Sequence, residues 1–327
     1  MNPIIFFTTA LTLFSQNAFS ADSAAKAPAL ESSSASADGG GLSKKFEEDK
    51  KITDAELKSR AGSLSQFSLK ANLSYYGPTL ENLSAADQPN PDGTVTGSAV
   101  GPSGSIGARY RLNPSSSITA NAGLTAQYLF TSKPSKIDMN NPFVTYDKSF
   151  KLGGVQMVAS PGLTLVTSNV YRPKGEILGL DARLYSSYNL GSSPISLGAS
   201  TTASYYFFDR EYIPDDANNI ALSKGRSVYK TIPHDGRIRR ISVTVAPVIK
   251  YNVSSKFNVN TSFGLNFFNP RYYDNQLKFN SRVVNEWVGV GYAITRDIYI
   301  NPYVQFYPTQ FSWKTATVNL STVISLL

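Results

Sequence analysis

The sequence contains no cysteine, one histidine and two tryptophans. Beyond residue 20, no stretch approaches the roughly 18 apolar residues that a membrane-crossing helix needs. Without cysteine there is neither a disulfide framework nor a thiolate metal site. Acidic side chains are also in deficit, with 23 Asp and Glu against 31 Lys and Arg, which leaves a formal charge of +8 and a pI near 9.4.

The chain opens MNPIIFFTTALTLFSQNAFSA. The apolar run Ile4–Phe14 has the length of a signal-peptide core and is too short to span a bilayer, and Ala18-Phe19-Ser20 supplies small residues ahead of a cut before Ala21. Residues 1–20 are therefore expected to be a signal peptide. For an exported chain, the basic balance points to lipid headgroups, lipopolysaccharide or acidic solutes as partners, and away from nucleic acid.

Residues 21–62 stand apart from the rest. Ala21–Gly41 is an Ala/Ser/Gly tract with the composition of a flexible linker. SKKFEEDKKITDAELKSR (43–60) is densely charged, and its Thr53-x-x-Glu56 fits a capping box. The expectation is a periplasmic N-terminal extension, disordered or briefly helical; the sharper alternative has 43–60 entering whatever interior the remainder encloses.

From Ser63 to Leu327 one pattern recurs. In FSLKANLSY (67–75), Phe67, Leu69, Ala71, Leu73 and Tyr75 alternate with Ser68, Lys70, Asn72 and Ser74, as in a strand with one apolar and one polar face. Twelve such segments are read at 63–76, 103–112, 117–130, 147–159, 163–171, 177–190, 195–208, 237–252, 257–268, 279–294, 298–307 and 315–327. A soluble sandwich and a membrane barrel both alternate in this way. Length favours the barrel, because globular strands average about 5–6 residues and bilayer-crossing strands need about 9–11. The breaks agree. NPSS (113–116), SPG (160–162), GSSP (191–194), VSSK (253–256) and TRD (295–297) are tight, whereas 77–102, 131–146 and 209–236 are long, placing short turns on one rim and long loops on the other. Aromatics gather near strand ends, among them Tyr75, Tyr110, Tyr128, Phe130, Tyr171, Tyr188, Tyr205, Phe207, Tyr251, Phe257, Phe267 and Tyr292, at headgroup level. The expected fold is all-β, a closed antiparallel transmembrane β-barrel of twelve strands over 63–327, with both termini on the short-turn side.

Parity then assigns an inward set: Lys70, Arg109, Arg111, Lys151, Asp181, Arg183, Arg240 and Lys250, expected to line a pore. Gly153-Gly154 is read as a β-bulge, since Phe150 and Leu152 share a face with Val155, Met157 and Ala159. Centring the first loop near residue 90 sets Lys70 beside Arg109, a like-charge pair that calls for an anion or a tail carboxylate between them. The remaining inward positions, such as Asn121, Gln127, Thr202, Asn258, Asn260, Asn301, Tyr303, Gln305 and Asn319, are polar and uncharged.

On this pattern, residues 63–327 resemble the Gram-negative outer-membrane β-barrel class, although the terminal TATVNLSTVISLL carries Leu327 where that class usually ends in an aromatic. Twelve-stranded members include narrow porins for acidic oligosaccharides, a nucleoside channel, a phospholipase and autotransporter translocators. The resemblance implies outer-membrane localisation, contact with lipid, lipopolysaccharide and the assembly machinery, and no cofactor. The reading it supports is passive diffusion of small, preferentially anionic solutes. One alternative is an adhesion or receptor barrel working through loops 77–102 and 209–236. Another is a phospholipase or protease, but His234 lies in the loop sequence IPHDGR, and Glu211 and Asp215-Asp216 lack a second paired set. No catalytic or metal residue is assigned.

Overall fold

A computed structural model describes residues 52–88, 99–129, 131, 133–168, 172, 175–209, 241–268, 278–279, 284–308 and 311–326. The described residues begin with a short helix, α1 (Ala55–Ala61), followed by antiparallel strands. These are β1 (Phe67–Thr79), β2 (Gly101–Asn113), β3 (Ser116–Gln127), β4 (Lys136–Leu152), β5 (Val155–Leu165), β6 (Glu176–Asn189) and β7 (Ile195–Phe208). They continue with β8 (Ile241–Asn252), β9 (Phe257–Phe268), β10 (Lys278–Phe279), β11 (Asn285–Thr295), β12 (Ile298–Phe306) and β13 (Thr317–Leu326).

Each strand pairs with its sequence neighbour, and β1 pairs with β13, from Leu69↔Leu326 to Thr79↔Thr317. Both β10 and β11 lie along β9, so the two-residue β10 extends the line of β11 and the wall counts twelve strands. Among the described residues, closure leaves none of the twelve wall strands at a free edge, which hydrocarbon would not tolerate. Apart from the two-residue β10, the strands run from 9 residues in β12 to 17 in β4, long enough to cross a bilayer at a tilt. In β7, ISLGASTTASYYFF, one Ile, two Thr, two Tyr and two Phe supply the branched and aromatic side chains that suit the pleat.

The fourth hairpin departs from the sequence expectation. β4 starts at Lys136, not at 147, and β5 covers the SPG stretch that reads as a break. Gly153 and Gly154 form the tight turn itself, not a bulge, with φ +54° and +88°, both open to glycine at low cost. The parity change around them belongs to a hairpin reversal. The true bulge lies in the same strand: Asn121 pairs with Phe143 and Gly123 with Asn140, so Asn141 and Pro142 together oppose Ala122. Pro142 cannot donate to the ladder and makes the segment look like a loop; the bulge absorbs it. The Asn141 side chain accepts from the Thr167 and Ser168 backbone N–H groups, tying the bulge to the start of the β5–β6 connection.

The alternation of rims holds after this shift. Pro114–Ser115, Gly153–Gly154, 190–194, 253–256 and Arg296–Asp297 are short connections on one end. Both β1 and β13 terminate there, and the longer connections lie at the other end.

Candidate functional site

The burial pattern is inverted relative to a globular core. Leu69, Val144, Ile249 and Leu326 on the outer face are 47%, 49%, 48% and 50% exposed, while Thr119, Ser117, Ser262 and Asn319 on the inner face lie at 2% or less. In water the outer band would be a continuous apolar belt; in hydrocarbon it is the stable face. Aromatics close the belt on both sides. Phe67 meets Tyr110 at 4.9 Å near the short turns, and Tyr205 meets Phe207 at 5.0 Å near the loops. The chain is an outer-membrane-type β-barrel.

The barrel's inner wall is polar because it faces its own N-terminal segment and the space beside it. Residues 52–63 pack across the short-turn end of the lumen, with α1 approaching β4, β5, β6, β11, β12 and β13. The expected capping box is not used: Asp54, not Thr53, caps α1, its side chain accepting from the Leu57 N–H at 3.0 Å. The segment is held at both ends. At the start, Lys250 Nζ lies 3.0 Å from Asp54 and 2.9 Å from Glu56, Ser187 donates to Asp54, and Gln156 bonds Thr53 in both directions. At the finish, Arg109 donates to the carbonyls of Ala61 and Ser63, and Arg296 to that of Gly62, satisfying groups that a helix end leaves open. Ile52, Leu57 and Ala61 bury against Val158 and Tyr185, a small apolar cluster inside a polar tube.

Gly62 is required for this exit. Its φ of +86° with ψ of −178° is a conformation nearly reserved for glycine, and a Cβ there would stand 2.9 Å from Arg109 Nε. Within α1, Glu56 also pairs with Arg60 at 2.7 Å, and the Arg60 guanidinium lies 3.9 Å over the Tyr185 ring. Burial alone would raise the Glu56 carboxyl, but Lys250 and Arg60 outweigh it and hold it at about 2. Burial opposes the Arg60 charge, yet Tyr185 and Glu56 leave its value raised.

The sequence-assigned inward residues divide. Lys70, Arg109 and Lys250 are buried against the segment, Arg111 reaches Ser63 O, and Asp181 accepts from Thr164 and Ser204 on the wall. Arg183 faces the lumen, 5.8 Å from the Phe143 ring centroid. Lys151 is exposed at the short-turn rim, and Arg240 lies outside the described residues, as do Phe130, Tyr171, Glu211, Asp215, Asp216 and His234. Lys70 does not sit opposite Arg109; it opposes Gly107, and Ser68 opposes Arg109. The carboxylate serving Lys70 comes from the wall, Asp147 at 2.9 Å, and the tail contributes the Arg60 carbonyl. Asp147 was legible by parity with Lys151, two strand repeats away, and lay inside the segment read at 147–159, yet it was not assigned to the inward set. Gln156 and Arg296 had no sequence signal, because Thr53 and Gly62, which they meet, are distant in the chain; Glu56 and Arg60 carried only the local signal of an i,i+4 pair, and Asp54 that of a cap.

Beside the segment is a cavity of about 60 Å³ lined by residues that include Arg60, Lys70, Phe143, Asp147, Arg183 and Tyr185. It lies between the wall and the C-terminal half of α1.

No protein-family model matches the sequence, and no curated protein matches it. Among solved structures, the barrel is similar to an outer-membrane channel from Pseudomonas putida F1, at 11% identity and TM-score 0.45 over 81% of this chain and 98% of the other. It is similar to the NanC porin at 9% identity and TM-score 0.40, over 79% of this chain and 98% of that one. It is also similar to the KdgM porin in complex with disordered oligogalacturonate, at 9% identity and TM-score 0.38, over 80% and 99%. Closure and inverted burial establish the architecture independently of these likenesses.

Proposed function

We propose that this protein is an outer-membrane channel for passive diffusion of small, preferentially anionic solutes, with its conducting state requiring residues 52–63 to leave the lumen. The observation carrying this reading is the charge of the wall beneath the segment. Around the segment and its cavity the wall presents Lys70, Arg109, Arg111, Arg183 and Lys250 against Asp147 and Asp181. Five cations against two carboxylates leave three positive charges. With the segment seated, Asp54 and Glu56 neutralise Lys250, and backbone carbonyls solvate Arg109. With it withdrawn, the same cations face water in a narrow tube, and focused positive potential raises the local concentration of anions. Twelve strands fall between eight, where side chains fill the interior, and sixteen, where an aqueous channel is open. Such a lumen is small enough for seven helical residues to close and wide enough to conduct without them.

Planar-bilayer recording of the full-length protein under a salt gradient tests the reading. The expected result is discrete current steps with a reversal potential on the anion side, and a shift toward cations in Arg183→Glu. Cation preference in the parent protein, or no steps under any condition, overturns it.

A further inference from the structure

The cavity beside α1 contains a charge imbalance with a specific form. Lys70 is matched by Asp147 at 2.9 Å, and Arg60 by Glu56 at 2.7 Å. Arg183, on the same cavity, has no carboxylate partner among the described residues; its neighbour there is the Phe143 ring. Arg183 is partly buried, and a bound anion would supply the counter-charge that the wall does not. The 60 Å³ of space amounts to roughly four of the ~15 Å³ volumes that a single water requires, enough for a small oxyanion. Planar guanidinium groups suit oxyanions; Arg183 offers its whole fork of N–H donors, and Arg60, whose Nε and Nη2 face Glu56, offers Nη1. One of the two, Arg60, belongs to the segment; the other, Arg183, belongs to β6.

We infer that this cavity is an oxyanion site, for phosphate or a group of its size and charge, built jointly by Arg183 of the wall and Arg60 of the luminal segment. The site is complete only while the segment is seated. Occupancy and seating are therefore linked: an anion that binds the seated form alone stabilises it as RT ln(1 + [L]/Kd). The anion acts as a seal, bridging wall and segment. This inference deepens the reading of the lumen as an anion path and rests on it for biological meaning, but binding requires no current.

The chain has no cysteine, so Ser59→Cys introduces a single thiol at a position that is fully buried while the segment is seated. In detergent, the rate of maleimide labelling of that introduced thiol then reports unseating. Replacing chloride by inorganic phosphate at constant ionic strength is expected to slow labelling about tenfold at ten times the half-saturating concentration. Titration calorimetry should show saturable phosphate binding to the same protein. Both effects should vanish in Arg183→Gln. The slowing should also vanish in Arg60→Gln, a second variant that leaves the barrel wall untouched. Phosphate that leaves labelling unchanged, or that accelerates it by drawing Arg60 away from Glu56, overturns the site. Failure to conduct in bilayers would sink the channel reading and leave this binding result standing, and the reverse holds equally.

Discussion

Among single residues, Glu56 has the most to lose. Its carboxylate faces Lys250 and Arg60, with the Tyr299 hydroxyl also within electrostatic reach. Burial alone would protonate it more easily, and the two cations reverse that, bringing the carboxyl from 4.5 to about 2. A group depressed by this much contributes about 3 kcal/mol at neutral pH. The sign is that of a lowered acid: the contribution is complete above pH 4.5 and is lost as pH falls from 4.5 toward 2. Hydrogen exchange of the α1 amides, corrected for the intrinsic rate, should therefore show protection falling across that window. Glu56→Gln should lower protection at neutral pH and flatten its response to acid. Protection unaltered down to about pH 2 in the parent protein would show that the Lys250 and Arg60 contacts do not hold the segment. Lys70 and Asp147 form a second buried pair, and removing either partner alone leaves a stranded charge costing about 3–5 kcal/mol.

At the scale of the element, α1 is too short to persist alone: seven residues fall well below the about 12–15 at which an isolated helix becomes even marginal in water. It is held by its surroundings, by the Asp54 cap, the Lys250 pairs and the carbonyls gathered by Arg109 and Arg296. This is why the sequence shows so little of it. Leu57 and Ala61 lie one helical turn apart, too short a stripe to stand out, and the residues that anchor the segment are the charged ones, which in isolation read as a solvated tail. β4 was obscured for a different reason: Pro142 resembles a strand terminator unless the bulge opposite Ala122 is known. The exit from α1 supplies a direct test. Gly62→Ala forces a methyl-bearing residue into a glycine-only conformation and toward Arg109 Nε. A cost of about 1–3 kcal/mol is expected, read as faster exchange of the α1 amides with the barrel's thermal transition unchanged. A lower transition temperature with no change in α1 exchange would place the role of Gly62 in the wall instead.

For the whole molecule, the barrel itself was legible because its physics is periodic: alternation, strand length and the unequal rims each survive a register error of a few residues. The lumen was legible only in sign. Parity finds which side chains point inward, as it did for Lys70, Arg109, Arg183 and Lys250, but it cannot say what meets them there. What meets most of them is the protein's own chain, so under the proposed reading the cations that would attract anions also hold the segment in the lumen. This sets an order of events that a single preparation can test. Thr53 and Gln156 touch through two reciprocal hydrogen bonds, one residue on the segment and one on the wall. The double variant Thr53→Cys, Gln156→Cys, joined by a short reducible bifunctional reagent, would tether the segment in its seated place in a chain with no other thiol. If withdrawal of the segment opens the lumen, the tethered protein should give no current steps in a planar bilayer. Cleaving the tether should then restore steps of the parent's amplitude and reversal potential. Full conductance with the tether intact would mean that solutes pass beside α1 instead of through the space it vacates, and the link between seating and transport would fall.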